Sequence, residues 1–263
     1  SRWDEAEVQS KEDCHAHVHP RPSRRNSRRR LRNGCRPGFA DETDPPAAVT
    51  VTGNVALVTD YRFRGISLSA GDPAIQGSIN LNHSSGLYAG VWSSSLEDTP
   101  VYGSLETDFY AGWTGAVGDG LTADVGMTYY VYFNGKVGKA NYFEPYVSLT
   151  KTLGPVSAKA GAAYSWKQDS LGGDDNLYLY TDWTLGVPNT PVSVAAHLGY
   201  SDGALSPKVL TGAGTGGGWD YSLGASYAVT KNLSASVSYV GVDGTSIDSV
   251  SNDAVVASLK YAF

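Results

Sequence analysis

Residues 47–263 alternate between apolar and polar side chains, in successive runs of roughly ten residues each. In the last run, Val255 and Leu259 fall on one face, while Ser258 and Lys260 fall on the other. Successive side chains of a β-strand leave opposite faces of the backbone, so a period of two indicates strands. The alternation therefore predicts an all-β fold.

The apolar residues are too dispersed for a helical membrane protein. No window of 18 consecutive apolar residues occurs in the 263-residue chain, so the sequence predicts no transmembrane helix. Aromatic residues near the strand ends nevertheless indicate a bilayer, in which a closed barrel leaves no backbone edge unpaired. We therefore expect an all-β, transmembrane antiparallel up-and-down β-barrel of about 12 strands, with a disordered N-terminal segment.

The charge distribution divides the chain into two parts, and we expect a boundary between residues 1–46 and residues 47–263. Residues 1–40 hold 10 of the 20 basic residues, and residues 41–263 hold 10 basic and 21 acidic residues. This acidic excess argues against nucleic acid as a partner of the folded part.

Residues 1–46 are expected to be an atypical leader or a disordered tail outside the mature fold. The arginine-rich run at 24–30 and the lack of an apolar stretch do not fit a secretory signal. Gly38-Phe39-Ala40 resembles a cleavage site, so we interpret the preceding residues as a leader translated in the wrong frame or from a misassigned start. Cys14, Cys35 and three histidines could instead form a zinc site, although their spacing matches no standard finger.

Turn residues divide the second part into twelve predicted strands. They span 47–64, 74–83, 86–96, 104–114, 121–133, 141–151, 155–167, 175–186, 190–201, 218–229, 232–242 and 253–263. Their connections alternate in length, with the longer ones at 65–73, 97–103, 134–140, 168–174, 202–217 and 243–252. Bacterial barrels have an even strand number, short periplasmic turns and longer outer loops, so this alternation predicts the topology.

Aromatic residues on the more apolar face of the strands are predicted to form two girdles at headgroup depth. The girdle set comprises Tyr61, Phe63, Trp113, Phe133, Phe143, Trp166, Trp183, Tyr200, Trp219, Tyr261 and Phe263. Ordinary strand propensity of aromatic residues is the alternative explanation.

Charged residues fall on the opposite parity, which we expect to face the lumen. The predicted lumen-lining set comprises Asp60, Arg62, Arg64, Glu106, Asp108, Asp124, Glu144, Lys159, Lys167, Asp182, His197 and Lys260. An Arg or Lys facing lipid at mid-bilayer would cost about 2–4 kcal/mol, so a shared parity constrains their direction. Two interpretations remain open: a hydrated channel that sorts small polar solutes, or an interior blocked by ion pairs of Arg62 and Arg64 with neighbours such as Asp60, Glu106 or Asp108.

Three segments carry a family resemblance: GNVALVTDYRFRGIS at 53–67, DPAIQG at 72–77 and SGLYAGVW at 85–92. With looser similarity continuing to Phe263, they resemble the TorF-type porin family of proteobacterial outer-membrane proteins. The resemblance covers most of residues 48–263 and implies an outer-membrane β-barrel with a transport function. It implies no catalytic residues and identifies no solute.

His83, Ser85 and Glu97 suggest a rival function, an outer-membrane barrel enzyme that acts on lipid as a deacylase or esterase. A His beside a Ser, oriented by an acid, is suited to ester cleavage. The predicted topology argues against it, because a full strand of about 30 Å would separate Glu97 from the other two. A closed structural or adhesion barrel is a third alternative.

We therefore expect a non-enzymatic outer-membrane porin of a Gram-negative bacterium, through which small polar solutes or ions pass passively along a narrow charged lumen. The strands contain no pattern that indicates catalytic residues, a metal site or a cofactor. The expected partners are outer-membrane lipid, lipopolysaccharide, small solutes and the barrel-assembly machinery, which would bind the C-terminal strand.

Overall fold

The computed structural model describes residues 48–263, so the predictions for residues 1–46 lie outside the described residues. The strands of this part are β1 (Val49–Val58), β2 (Arg62–Phe63), β3 (Ile66–Ser67), β4 (Ala74–His83), β5 (Leu87–Thr99), β6 (Gly103–Gly118), β7 (Leu121–Tyr132), β8 (Tyr142–Leu153), β9 (Val156–Ser165), β10 (Asn176–Gly186), β11 (Val192–Gly203), β12 (Gly218–Ala228), β13 (Leu233–Val242) and β14 (Ala254–Ala262). A 3-10 turn at Asp169–Leu171 and the short helix α1 (Pro207–Leu210) lie in two of the loops. Among residues 48–263, no helix has the length and apolar character needed to cross a bilayer.

Twelve of these strands, all except β2 and β3, form one closed antiparallel barrel. Each pairs with the barrel strand next to it in sequence, and β1 pairs with β14 to complete the circle. Two backbone hydrogen bonds between Gly53 and Phe263, one in each direction at 2.9 Å, fasten this seam. A closed barrel has no free strand edge. The predicted fold class and strand number are therefore confirmed.

The connections are short at one end of the barrel and mostly longer at the other. Short turns lie at 84–86, 119–120, 154–155, 187–191 and 229–232, and the other connections lie at 59–73, 100–102, 133–141, 166–175, 204–217 and 243–253. The connection predicted at 97–103 is shorter than expected, because β5 and β6 extend to Thr99 and Gly103. Their pairing continues through a register shift after Ser95.

Alternate residues of the barrel strands differ in both exposure and chemistry. On β14, Val255 and Leu259 are exposed, whereas Ser258 and Lys260 are half-buried. Large apolar side chains are exposed on many other barrel strands, and Leu223 of β12 is 60% exposed. Such a broad exposed apolar surface is typical of contact with a membrane or another apolar partner.

The first strand ends earlier than predicted, and the chain then turns into the barrel. β1 ends at Val58, whereas the prediction extended this strand to residue 64. Residues 59–73, which we call the inward segment, contain the two-residue strands β2 and β3. Between these strands Arg64 and Gly65 have φ values of 47° and 80°, so the backbone reverses there instead of continuing along the wall.

Tyrosines of the inner face pack against glycines of neighbouring strands. A Cβ atom added to Gly126 would lie 2.6 Å from Tyr146 Oη, and one added to Gly90 would lie 2.5 Å from Tyr110 Oη. The same relation joins Gly112 to Tyr88, Gly161 to Tyr180 and Gly199 to Tyr178. A missing side chain permits this close approach, so the rings occupy space next to the barrel wall.

Candidate functional site

Asp60 is the acceptor around which the inward segment folds. Its carboxylate accepts hydrogen bonds from Arg62 Nε at 2.6 Å, Ser67 Oγ at 2.6 Å and Ser69 Oγ at 3.2 Å. The side chains of Asp60 and Arg62 are only 7% and 5% exposed. Because burial of an unpaired charge is costly, their ion pair and hydrogen bonds are needed to keep both groups charged in the interior. Arg62 also donates to the backbone oxygen of Asn252 at 2.7 Å, which ties the segment to the last long loop.

The tip of the inward segment places Arg64 against a distant part of the barrel wall. Arg64 Nη2 donates to Glu144 Oε2 at 2.7 Å, and the guanidinium carbon lies 4.0 Å from the ring centre of Tyr178. Ser165 Oγ and Tyr130 Oη donate to the same Glu144 carboxylate. A charge-assisted hydrogen bond and a cation–π contact therefore fix the direction of the Arg64 side chain.

Aromatic and backbone contacts hold the rest of the inward segment. Tyr61 packs against Trp92 with ring centres 5.3 Å apart, and Phe63 packs edge-on against Tyr130 at 5.9 Å. Two backbone hydrogen bonds join the segment to its surroundings, from Ser67 N to Val250 O at 2.8 Å and from Glu97 N to Leu68 O at 2.9 Å. The segment is thus a packed part of the interior.

Nearer the short-turn end, polar side chains meet on the inner face. Tyr88 Oη lies 2.5 Å from both Asp124 Oδ1 and Tyr146 Oη. Tyr88 belongs to β5 and Tyr146 to β8, and two strands separate β5 from β8 in the barrel. Side chains on strands that far apart meet only through the interior, so these three residues face inward.

His197 lies between two carboxylates on the inner face. Its Nδ1 is 2.5 Å from Asp182 Oδ1, and its Nε2 is 2.9 Å from Asp220 Oδ1. Tyr178 Oη lies 2.9 Å from His197 Nε2 and donates to Asp220 Oδ1 at 3.1 Å. Because Tyr178 also contacts Arg64, this hydrogen-bond network orders the wall against which the inward segment ends.

A further ion pair, Lys139 with Asp169, joins two long loops outside the strands. The hydrogen bond between them raises the pKa of Lys139 and lowers the pKa of Asp169. Their side chains are 73% and 75% exposed, so water screens the interaction. This pair contributes little to the arrangement of the loops, in contrast to the buried pairs of the inward segment.

The predicted lumen-lining residues lie in three locations. Asp60, Arg62 and Arg64 belong to the inward segment and not to β1. Those on the less exposed parity of the barrel strands are Glu106, Asp108, Asp124, Glu144, Lys159, Asp182, His197 and Lys260. Lys167 departs from the expectation: β9 ends at Ser165, so Lys167 occupies an exposed position in the following loop.

The predicted girdle residues divide into two groups. Those on barrel strands or directly after their ends are Trp113, Phe133, Phe143, Trp166, Trp183, Tyr200, Trp219, Tyr261 and Phe263. Tyr61 and Phe63 depart from the expectation, because the chain leaves the wall at Val58 and carries both into the interior. Tyr61 is accordingly only 7% exposed.

Sequence reasoning missed Asp220 and the inner tyrosines. Asp220 is 2% exposed and contacts both His197 and Tyr178. Asp220 alternates with the aromatic residues Trp219 and Tyr221, which is the same pattern that predicted the other lumen-lining residues. The tyrosines were missed because their amphipathic side chains suit either face of a barrel strand.

The residues of the alternative esterase site are only partly brought together. His83 Nδ1 lies 2.8 Å from Ser85 Oγ and also accepts the backbone N–H of Ser85, which is a local turn interaction. Glu97 lies near the opposite end of β5, about 33 Å from Leu87 at the usual rise per strand residue, and Leu87 is where the strand leaves the turn. The three side chains therefore do not form a Ser-His-acid arrangement.

Comparison with solved structures identifies porins that share this fold. The NanC porin superimposes with a TM-score of 0.55 at 13% sequence identity, covering 81% of this chain and 99% of that chain. The KdgM porin superimposes with a TM-score of 0.56 at 11% identity and with the same coverage. KdgM in complex with disordered oligogalacturonate gives a TM-score of 0.55 at 10% identity. These likenesses establish a porin-like barrel fold.

Sequence comparison adds a family. No curated protein matches the chain. Residues 42–263 match a family described as "Bacterial protein of unknown function (Gcw_chp)". The resemblance to TorF-type porins stays a prediction, since that name is not part of the description. Because the match covers most of the chain, the protein belongs to the Gcw_chp family of bacterial proteins.

Proposed function

We propose that this protein is a porin of the Gram-negative outer membrane, through which small polar solutes or ions pass passively. The observation that carries the proposal is the division of the barrel into two surfaces. The outer parity exposes large apolar side chains such as Val255, whereas the inner face carries hydrogen-bonded groups such as Asp124 and His197. A closed barrel with an apolar exterior and a polar interior suits a hydrated path across lipid.

The similarity to solved porins supports this proposal at the level of the fold. NanC and KdgM are porins, and one of the KdgM structures is a complex with oligogalacturonate. Their sequence identity to this chain, 10–13%, is too low to transfer a solute. We therefore propose passive passage and not enzymatic turnover. The class of solute that passes would depend on the side chains that line this barrel's own interior.

The same arrangement defines the proposed surroundings of the barrel. The exposed apolar parity would contact outer-membrane lipid, and the long loops would lie at the lipopolysaccharide surface. The C-terminal strand β14 ends in Tyr261, Ala262 and Phe263, and we propose that the barrel-assembly machinery binds it.

Reconstitution into a planar lipid bilayer tests the porin proposal. Purified protein is expected to produce discrete, reproducible conductance steps in KCl, whereas the same preparation unfolded before addition is expected to produce none. A liposome-swelling assay with sugars of increasing size then measures which solutes enter. A correctly folded barrel that produces neither conductance nor swelling would contradict passive passage.

The second candidate is a barrel whose pore is blocked, and the inward segment favours it. Its residues are packed, and its tip contacts a distant part of the wall through Arg64. A barrel whose pore is permanently blocked in this way would serve a structural or adhesive role. The absence of conductance in the bilayer experiment would support this candidate.

A further inference from the structure

We propose that the inward segment is the solute-selecting constriction of the barrel and that Arg64 is the positioning residue that holds its tip against the far wall. This inference rests on the proposed porin function and adds the element that decides which solutes pass.

The inward segment reaches from one side of the barrel interior to the other. In the ring of twelve strands, β9 is the sixth neighbour of β1 in both directions and therefore lies opposite it. The inward segment leaves the wall at the end of β1, and Arg64 binds Glu144 on β8 and packs on Tyr178 of β10. These strands flank β9, so the segment spans the interior from one side to the other.

Contacts hold the inward segment in place along its length. Asp60 pairs with Arg62 near its start, and the backbone of Ser67 binds Val250 after the turn. At the tip, a Cβ atom on Gly65 would collide with the side chain of Val242 on β13. A solute that moves along the barrel must therefore pass beside a positioned chain, because the segment is anchored at its start, tip and end.

The position of the tip depends on the side chain of Arg64. Its side chain is 7% exposed and makes the ion pair and the ring contact with the far wall. Arg64 Nη1 has no hydrogen-bond partner among residues 48–263, so one donor group of this buried guanidinium remains unsatisfied. Removal of this side chain releases the tip from Glu144 and widens the passage.

Two variants test the proposal in planar bilayers, with far-UV circular dichroism to verify the barrel. Arg64→Ala removes the contacts of the tip. A deletion variant replaces residues 60–72 with a short turn, which the barrel permits because Val58 and Ala74 are already paired opposite each other. Lys139→Ala is the matched control, since it breaks an ion pair at the same end that is exposed.

We expect Arg64→Ala to raise single-channel conductance several-fold and to admit larger polyethylene glycols, and the deletion variant to do so more strongly. Lys139→Ala is expected to leave both measurements unchanged. Equal, measurable conductance and equal polymer exclusion in the wild type and in the folded variants would overturn the constriction proposal but leave the porin proposal standing, whereas silence of all of them would overturn both. A silent wild type with a conducting deletion variant would support the constriction and overturn passive passage through the native barrel. If the deletion variant does not fold, Arg64→Ala decides the question alone.

Discussion

At the scale of single residues, the inner face depends on glycines that accept tyrosine rings. Gly126 receives Tyr146, whose Oη lies 2.5 Å from Tyr88 Oη, which in turn binds Asp124. A ring held by such a network cannot move without loss of its hydrogen bonds. The small residue on one strand thereby sets the position of polar groups on the strands around it.

We predict that Gly126→Ala destabilises the barrel by about 1–3 kcal/mol, the usual cost of overpacking. The new Cβ atom would lie 2.6 Å from Tyr146 Oη and 2.8 Å from the backbone oxygen of Ala111. Gly186→Ala is the control, because the nearest atom to its Cβ would be 3.9 Å away. Urea unfolding followed by tryptophan fluorescence measures both; an equal effect of the two substitutions would contradict the packing argument.

At the scale of elements, the inward segment depends on a buried ion pair close to the end of β1. Removal of one partner of a buried pair is costly, about 3–5 kcal/mol, because the other charge remains buried without compensation. Asp60 accepts three side-chain hydrogen bonds, so it is the residue whose loss should undock the segment.

Limited proteolysis tests this dependence. In the wild type, trypsin should cleave poorly after Arg62 and Arg64, whose side chains are 5% and 7% exposed. Asp60→Ala should make both sites susceptible, whereas Asp169→Ala, which removes the carboxylate of an exposed pair, should not. Mass spectrometry identifies the cleavage sites. Continued protection of Arg62 and Arg64 in Asp60→Ala would show that other contacts suffice to dock the segment.

At the scale of the whole molecule, acidic residues outnumber basic ones in the described part of the chain. Residues 48–263 contain 18 acidic and 10 basic residues, a formal charge of −8. The two arginines of the inward segment are each paired with a carboxylate, so they offset little of the remaining negative charge. Walls of low dielectric constant focus such a field within the lumen.

We therefore predict that the conducting protein prefers K⁺ over Cl⁻, measured as the reversal potential in a KCl gradient. The preference should weaken between about 0.1 M and 1 M salt, as the screening length falls from about 10 Å to about 3 Å. Asp124→Asn should reduce the preference for K⁺, although the amide oxygen can still accept the hydrogen bond of Tyr88. Asp119→Asn, in a short turn, should leave the preference unchanged. A preference for Cl⁻ in the wild type would contradict this prediction.

The alternating pattern alone was sufficient to predict the barrel strands and their approximate bounds. The predicted strands at 74–83 and 218–229 correspond to β4 and β12, because a period of two is a local property that each strand displays alone. The strand number and the alternation of short and longer connections follow from the same local signals. Asp124 and Glu144 were placed on the less exposed parity by the same reasoning.

The course of residues 59–73, in contrast, depends on contacts across the closed barrel. The alternation of Asp60, Tyr61, Arg62, Phe63 and Arg64 is that of a strand, and the sequence extended β1 through it. The structure instead turns this stretch inward, because its charges and rings find partners on strands that lie far away in sequence, such as Glu144 and Tyr178. Local periodicity indicates which side chains share a face. Whether a segment continues along the wall or turns into the interior depends on partners that only the closed barrel brings together.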